Sequence, residues 1–400
     1  MMKIILLKVM KLRFLGFLLA VCSVLLISET AMGVKAVKLQ PNQFQTYLKL
    51  GIEKSLNLET VNAQAYLQKA LAMDPENPTA YAYMAMLNLF TIETTFDENS
   101  RKKYQDVMLS YVDEALARGE KRTAKNTKDS EAYLAMAMAK IAKVRWATQQ
   151  KRYLIMAQET SNIWDYLEKA REGDPYNYDI LFLMGIFHYH IDHLPVFTRL
   201  LSSILITSGD RHKGLRELEL AAQKGNLLKQ LAQVEIASVY LYFEKQPARA
   251  LTIYRELKEK FPNNYNLLFA LGNTLSDLHR SEEALSIARD IGNNIQAGTP
   301  PFVPELQPRY DQLMGKILFD QGDYAKASDY LEKALKNTSA YNARVRAWSY
   351  VRLGMINDAR KERKLAEEYY AKALDVEGGE GAAQIEARSY LKTPYTPPKT

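Results

Sequence analysis

Cysteine is all but missing from this chain: its one thiol, Cys22, lies near the start. Disulfide frameworks, cysteine-based zinc sites and CxxC redox chemistry are thereby excluded. Glycine and proline are sparse, 18 and 14 among 400 residues, which argues against collagen-like and turn-rich all-β architectures. A strong charge of one sign is lacking too. Lys and Arg number 53 against 46 Asp and Glu, but residues 1–33 hold Lys3, Lys8, Lys11 and Arg13 against Glu29 alone. The remainder, 49 basic against 45 acidic residues, is too nearly balanced to point to a nucleic-acid partner. No GxSxG, HExxH, GxxxxGKS/T or GxGxxG stretch occurs, so the chain carries no local signature of hydrolase, zincin or nucleotide chemistry. What it does have is 47% hydrophobic residues in an Ala-, Leu-, Lys-, Glu- and Tyr-rich background. That is enough to bury a large core, and it favours helices.

Residues 1–13 are basic, Phe14 to Ile27 form an apolar run broken only by Gly16 and Ser23, and Ala31-Met32-Gly33 places small residues before a cut after Gly33. This layout predicts a secretory signal peptide over residues 1–33 and export to the bacterial periplasm or cell envelope. The run falls short of the ~20 apolar residues needed to cross a ~30 Å hydrocarbon core. Lipidation at Cys22 is the competing reading. Against it, Val21 is bulky where a lipobox wants a small residue, and Ser23-Val24-Leu25-Leu26-Ile27 continues the run. A mature chain without cysteine suits an oxidising compartment.

The rest of the chain repeats itself. From Leu50-Gly51 it runs to Ala63, Leu67, Ala70 and Pro75, offsets of 12, 16, 19 and 24 from the glycine. The same ruler laid on Leu271-Gly272 finds Ala284 and Ala288; on Met314-Gly315 it finds Ala327, Leu331 and Ala334; on Leu353-Gly354 it finds Ala366, Tyr370 and Ala373. In another window Ser238 takes the glycine's place ahead of Ala250, Tyr254, Leu257 and Pro262. Small residues at these intervals let two antiparallel helices approach to the close end of the ~8–10 Å range, and the larger residue between them fills the gap alongside. Asp74-Pro75-Glu76-Asn77, Asp174-Pro175-Tyr176-Asn177 and Phe261-Pro262-Asn263-Asn264 punctuate the units, because proline disfavours helix before it and Asn or Asp suits turns and caps. One such hairpin cannot bury its apolar face alone, so neighbours must stack. In this spacing the chain resembles the tetratricopeptide repeat family over most of residues 44–380. The resemblance implies an all-α right-handed superhelix, an α-solenoid of stacked hairpins, that binds a protein or peptide partner in its concave groove.

Three central units stretch the period. The interval between the small residues of the two helices is 19 in the regular units, but Ala85 to Ala115 spans 30, Ala137 to Ala170 spans 33 and Gly185 to Ala221 spans 36. The first two excesses approximate whole turns at ~3.6 residues each. Residues 129–150 and 151–173 contain no proline or interior glycine, which predicts lengthened central helices. Residues 292–308 carry four prolines and read as a loop or flexible hinge. The domain reading is therefore a repeat array over 44–291, this insertion at 292–308, a second repeat pair over 309–380, and a capping helix with a disordered tail over 381–400.

His188, His190 and His193 with Asp192 are the chain's densest cluster of metal-ligand side chains, but on one helix they divide between two faces and lack a convincing fourth ligand, so they read as surface or groove histidines. Glu282-Glu283 and Glu367-Glu368 sit among Lys and Arg, as on a solvated face. No metal, cofactor or catalytic group is expected. Residues 194–210 are the most apolar stretch after the leader, interrupted by Arg199. They fit an extra helix packed on the solenoid, an interfacial helix making peripheral membrane contact, or one wall of an apolar ligand pocket. Around Leu194-Pro195, Gly209-Asp210-Arg211 and Gly214-Leu215 the chain looks like the tetratricopeptide repeat protein 39 family, and it is also similar to the T-component of tripartite periplasmic transporters, both resemblances covering roughly residues 60–290. The second resemblance implies an alternative role as a periplasmic accessory that binds an apolar small solute.

The inner-face positions of the repeat pattern place Phe182, Ile186, Tyr189 and His190, then Glu235, Val239, Tyr242 and Phe243, then Phe269, Asn273 and Asp277 on the groove. The aromatic content fits either client contact or packing between repeats. The two-carboxylate clamp that some family members use for chaperone tails wants basic residues where Phe269 and Asp277 stand, so that client is disfavoured. Processing of the leader provides the first test. N-terminal sequencing of protein from the extracytoplasmic fraction should begin at Val34, whereas an intact Met1 on cytosolic protein would refute export.

Overall fold

In the computed structural model, residues 41–150, 152–192, 209–336, 342–376 and 381–397 are described. The leader at 1–33, His193 and nearly all of the apolar stretch 194–210 lie outside them. Among the described residues there are seventeen α-helices and no strand. The first eight are α1 (Pro41–Leu56), α2 (Thr60–Met73), α3 (Pro78–Thr94), α4 (Glu98–Thr123), α5 (Ser130–Gln149), α6 (Tyr153–Gly173), α7 (Tyr178–Asp192) and α8 (Arg211–Lys224). The remainder are α9 (Lys229–Tyr242), α10 (Pro247–Lys260), α11 (Tyr265–Asp277), α12 (Ser281–Ala297), α13 (Gln307–Asp320), α14 (Tyr324–Lys336), α15 (Ala343–Ala359), α16 (Arg363–Leu374) and α17 (Ala382–Lys392). The first sixteen pair in order as eight hairpins, and successive hairpins pack on one another, as in α1 on α3, α3 on α5, and α11 on α13 on α15. This is an α-solenoid. No described helix is long and apolar enough to cross a membrane.

The repeat register is visible atom by atom. A Cβ on Gly51 would stand 2.6 Å from Leu67 Cδ2, one on Gly315 would stand 2.7 Å from Leu331 Cγ, and one on Gly354 would run into the Tyr370 ring. Each neighbour is the residue 16 positions on. Where Ser238 replaces the glycine, its hydroxyl lies 3.0 Å from that of Tyr254, again 16 on. Within hairpins the turn is shared as well. Leu58, Lys245, His279, Gly322 and Lys361 all have φ between 54° and 81°, and each lies seven residues after its Gly or Ser. In four of the units the next N–H closes a helix-capping bond to a carbonyl five residues back: Glu59 to Lys54, Arg280 to Leu275, Asp323 to Leu318 and Glu362 to Asn357, at 2.8–3.0 Å. This left-handed cap satisfies carbonyls that the helix end would otherwise orphan. Between hairpins, Asn77, Asn177 and Asn264 each donate their N–H to the carbonyl three residues back. Asn77 and Asn264 then cap α3 and α11 through their side chains.

The long central helices are present: α4, α5 and α6 run 26, 20 and 21 residues. α7 and α8 cross at Gly185 and Gly214, so closely that a Cβ on Gly214 would stand 2.5 Å from the Tyr189 backbone nitrogen. Buried Asp179 then ties α7 to the start of the next hairpin by accepting N–H bonds from Asn226, Leu227 and Leu228 at 2.8–3.2 Å. Burial raises its carboxyl pKa despite these donors.

Two expectations need correction. The 292–308 segment is not a flexible hinge: α12 continues to Ala297, a 3-10 turn covers Pro304–Leu306, and Pro308 is in the first turn of α13. Phe302 and Leu306 are buried, and the Phe302 ring meets Tyr265 edge-on at 6.0 Å, so the main core runs through the segment. Nor are residues 393–397 a disordered tail. The Tyr395 N–H donates to Asp358 at 2.8 Å, and its ring lies 5.7 Å from Phe319 and 5.7 Å from Tyr390. Apolar burial of that ring outweighs the chain-breaking prolines around it.

The same geometry separates the glycines. At Gly272 the residue 16 on is Ala288, too small to reach across, and an added Cβ would instead meet the Leu313 side chain at 3.0 Å. Gly354 faces Tyr370, which is fully buried and held by a 2.9 Å bond to Asp358. Gly354→Ala should therefore cost about 1–3 kcal/mol through overpacking, while Gly272→Ala stays nearer wild type because the Leu313 side chain can give. Thermal unfolding of the two variants, monitored by circular dichroism, checks the order.

Candidate functional site

A central cavity of about 590 Å³ opens between the first three hairpins and the later ones. One wall is Leu56, Phe90, Glu93, Phe96, Arg101 and Arg145 from α1 through α5; the other is built by α9, α11, α13 and α15. The walls are joined by residues more than 200 apart. Asn264 Nδ2 donates to the Leu56 carbonyl at 2.6 Å, and the Asn263 N–H to Asn57 Oδ1 at 3.0 Å. Lys260 reaches Glu53 at 3.2 Å. Asn264 thus caps α11 and latches the first hairpin to the sixth.

Of the groove residues read from the repeat pattern, the structure brings Tyr242, Phe269 and Asn273 to this cavity, though Phe269 is itself buried. Asn273 donates to the Phe269 carbonyl at 2.7 Å. Phe182, Tyr189 and Val239 are core residues, not groove residues. The close α7–α8 crossing encloses Tyr189, whose hydroxyl donates to Glu244. Burial, reinforced by that carboxylate, raises the phenol far above its ordinary range. Ile186 and Phe243 are half-buried against the same core. His190 pairs through Nε2 with Glu235 at 2.7 Å. Burial pushes the Glu235 carboxyl up, but the His190 hydrogen bond and charge, with Arg145 and Arg344 near, bring it below its usual value. His188 binds Glu217 at 2.6 Å and has Lys213 at 3.2 Å from its other nitrogen. The histidines thus have separate carboxylate partners, and no group of three or more metal-ligating side chains occurs among the described residues.

The repeat pattern did not single out the cavity's cations. Arg309 on α13 lies 4.4 Å over the Phe269 ring, Arg344 on α15 lies 4.2 Å over Tyr242, and Arg352 lies 5.0 Å over Trp348. Their signal was present in Arg344, Trp348 and Arg352, spaced at i, i+4 and i+8 on a single helix face. Enclosure pushes the Arg309 guanidinium down to about 10, so it remains charged at neutral pH. The Tyr242 and Trp348 rings stand 6.2 Å apart, bridging α9 to α15. Chemically, the arrangement offers flat apolar faces and hydrogen-bond donors, and only one carboxylate, Glu93, which Arg145 already engages at 2.8 Å.

Residues 310–376 match the family model for the tetratricopeptide repeat. No curated protein matches the chain. Among solved structures it is similar to a tetratricopeptide repeat protein from Parabacteroides merdae, at 14% identity over 81% of this chain and 99% of that one, with a TM-score of 0.32. It is also similar to yeast Tom70, at 12% identity over 88% of this chain and 82% of that one, TM-score 0.39. The P58(IPK) TPR domain is likewise 12% identical, over 87% and 98%, TM-score 0.25. At these scores none of the three bears on this chain's function. The family match covers the seventh and eighth hairpins, which are tetratricopeptide repeats; the small residue, left-handed turn and capping bond found there recur in the first and sixth hairpins, and the turn in the fifth.

Proposed function

We propose that the protein is a non-enzymatic, exported scaffold that takes a peptide or protein segment of an envelope partner into its central cavity. Tetratricopeptide repeats support a protein-interaction role, and the observation that carries the finer reading is the cavity lining. Tyr242 and Trp348 are rigid rings that contribute contact area at small entropic cost. They face a space large enough for several side chains. The leader pattern of residues 1–33 supports export. The alternative, an apolar solute, is less well supported: the arginines at the cavity edge would lose water without gaining acceptors. A nearly all-apolar pocket beside Gly51, Tyr83 and Met138 holds only about 20 Å³, room for about one water.

A photoreactive benzoylphenylalanine in place of Tyr242 or Trp348 should crosslink to a protein or peptide in native envelope extract. The same probe at Tyr176, which is 84% exposed on a turn, should not. Against the captured partner, Tyr242→Ala with Trp348→Ala should weaken binding by about 2 kcal/mol or more at little cost in melting temperature. Tyr189→Ala should do the reverse, losing about 3–5 kcal/mol of stability as a large-to-small core change. Full affinity in a stable double variant would remove the cavity as the site.

A further inference from the structure

The first hairpin meets the later ones along a thin seam. Asn264 occupies the same punctuating position as Asn77, but where the Asn77 amide reaches Glu131 on neighbouring α5 at 3.4 Å, that of Asn264 crosses to the Leu56 carbonyl at 2.6 Å. Beside it the Asn263 N–H donates to Asn57 Oδ1 at 3.0 Å, and Lys260 pairs with Glu53 at 3.2 Å. Glu59 aims the Asn57 amide: it accepts from Asn57 Nδ2 at 2.6 Å and from Lys54 at 2.9 Å, which leaves Asn57 Oδ1 for Asn263. These donors, Lys54 foremost, hold the Glu59 carboxyl below its ordinary value, so the aim persists at neutral pH. The seam lacks the packing found elsewhere in the stack. α1 packs along α2 and against α3, and against no helix of the later hairpins to a comparable extent. From the far wall Leu231 alone reaches the small apolar pocket beside Leu56. Cavities flank the seam on both sides, the central one and a polar one of about 420 Å³ lined by Lys49, Gln230, Gln233, Glu256 and Lys260.

We infer that this seam is the entrance to the central cavity: the solenoid parts between Asn57 and Asn263–Asn264, admits a partner segment sideways and recloses over it. This rests on the cavity reading above and adds the route by which the cavity is filled. Hydrogen bonds of this kind exchange for water at small net loss, and water is at hand, since Asn263 is exposed and Asn57 partly so. Parting breaks no bond within a hairpin. The Asn264 side chain keeps its cap on α11 through Oδ1, and the movement is shared among the intervening hairpins, each of which contacts chiefly its neighbours. Entry from the side requires no free chain end. The segment expected is therefore an extended stretch from the interior of a partner chain, enclosed once the latch reforms.

The test has two arms, both in a Cys22→Ser chain so that only introduced thiols react. In the first, spin labels at Val61→Cys on α2 and Glu282→Cys on α12, both exposed, report the distance across the seam by pulsed electron resonance. Asn264→Asp keeps the α11 cap, for which Asp serves as well as Asn, but removes the donor to Leu56. It should raise the ratio of a longer, open distance to the closed one about tenfold, the effect of losing one such bond, at unchanged helicity. Added salt should favour the open distance in the parent and do so less in Lys260→Gln. In the second arm, Asn57→Cys and Asn263→Cys are joined by a short, reducible dithiol reagent in a chain carrying benzoylphenylalanine at Trp348. Capture from envelope extract should fall when the bridge is in place and return on reduction. An unchanged distance distribution in Asn264→Asp would overturn the entrance, and so would capture that the bridge leaves untouched, while the cavity reading stands in either case. Capture in neither the bridged nor the reduced form would overturn the cavity reading and the entrance together.

Discussion

Close approach of two helix backbones at one small residue per hairpin is the contact on which the rest of the structure depends. A glycine at that point brings the helices near enough for the residue 16 positions on to lie over its bare Cα, and this fixes both the crossing and the register of the hairpin. Gly51 with Leu67, Gly315 with Leu331 and Gly354 with Tyr370 repeat the contact with different partners, so the constraint is on the volume of the pair and not on either side chain alone. Ser238 and Tyr254 show the same volume rule met by a hydrogen bond. Once each crossing is set, the apolar face of every hairpin has one place to go, onto the next hairpin. The large core accordingly runs with few interruptions from Phe44 to Ile317.

A stack fixed only by nearest neighbours would accumulate small errors over its length and leave its concave side loosely defined. Here the latch of Asn264 on Leu56 and of Asn57 on Asn263 ties the first hairpin to the sixth. The contact is polar and small, but it closes a loop of packed elements, and each hairpin inside that loop is held from both directions. The central cavity is the space such closure leaves. Its walls come from helices on both sides of the latch, which is why it has a definite volume and lining.

Periodicity reports what lies next to what, and this part of the fold was readable. The glycine-to-16 contacts, the Asp-Pro or Phe-Pro punctuation and the two proline-free long helices all follow from residue spacing. The cavity did not follow, because it is made by residues 206 and 208 positions apart meeting across the stack, and no repeat pattern encodes that distance. The groove positions in the middle units were read as one surface. In the structure the Gly185–Gly214 crossing draws α8 over Tyr189 and turns part of that surface into core. Tyr242 and Asn273 keep a face on the cavity, but Val239, three residues before Tyr242 on the same helix, and Phe269 are buried. The hinge reading of 292–308 counted prolines but overlooked Phe302 and Leu306, whose burial decides the matter.

The arginine-bearing face of α15 brings these threads together. Three charges lining one cavity repel one another, and in a flexible wall they would swing apart toward water. Two features keep them in place. Rings beneath Arg309, Arg344 and Arg352 hold the guanidiniums by cation–π attraction, worth about 0.5–2 kcal/mol each. The helix itself is held from behind by Asp358, whose carboxylate is 1% exposed and accepts from Arg363 at 3.1 Å, the Tyr370 hydroxyl at 2.9 Å and the Tyr395 N–H at 2.8 Å. Arg363 in turn donates to the Leu391 carbonyl at 2.9 Å. The C-terminal helix and the five residues after it are therefore more than a lid over the last repeat. Through Asp358 they fix the rotation and height of α15, and with it the cavity wall that this helix builds. A wall positioned before the ligand arrives pays less ordering entropy on binding, and here that positioning comes from a tail whose sequence alone suggests disorder.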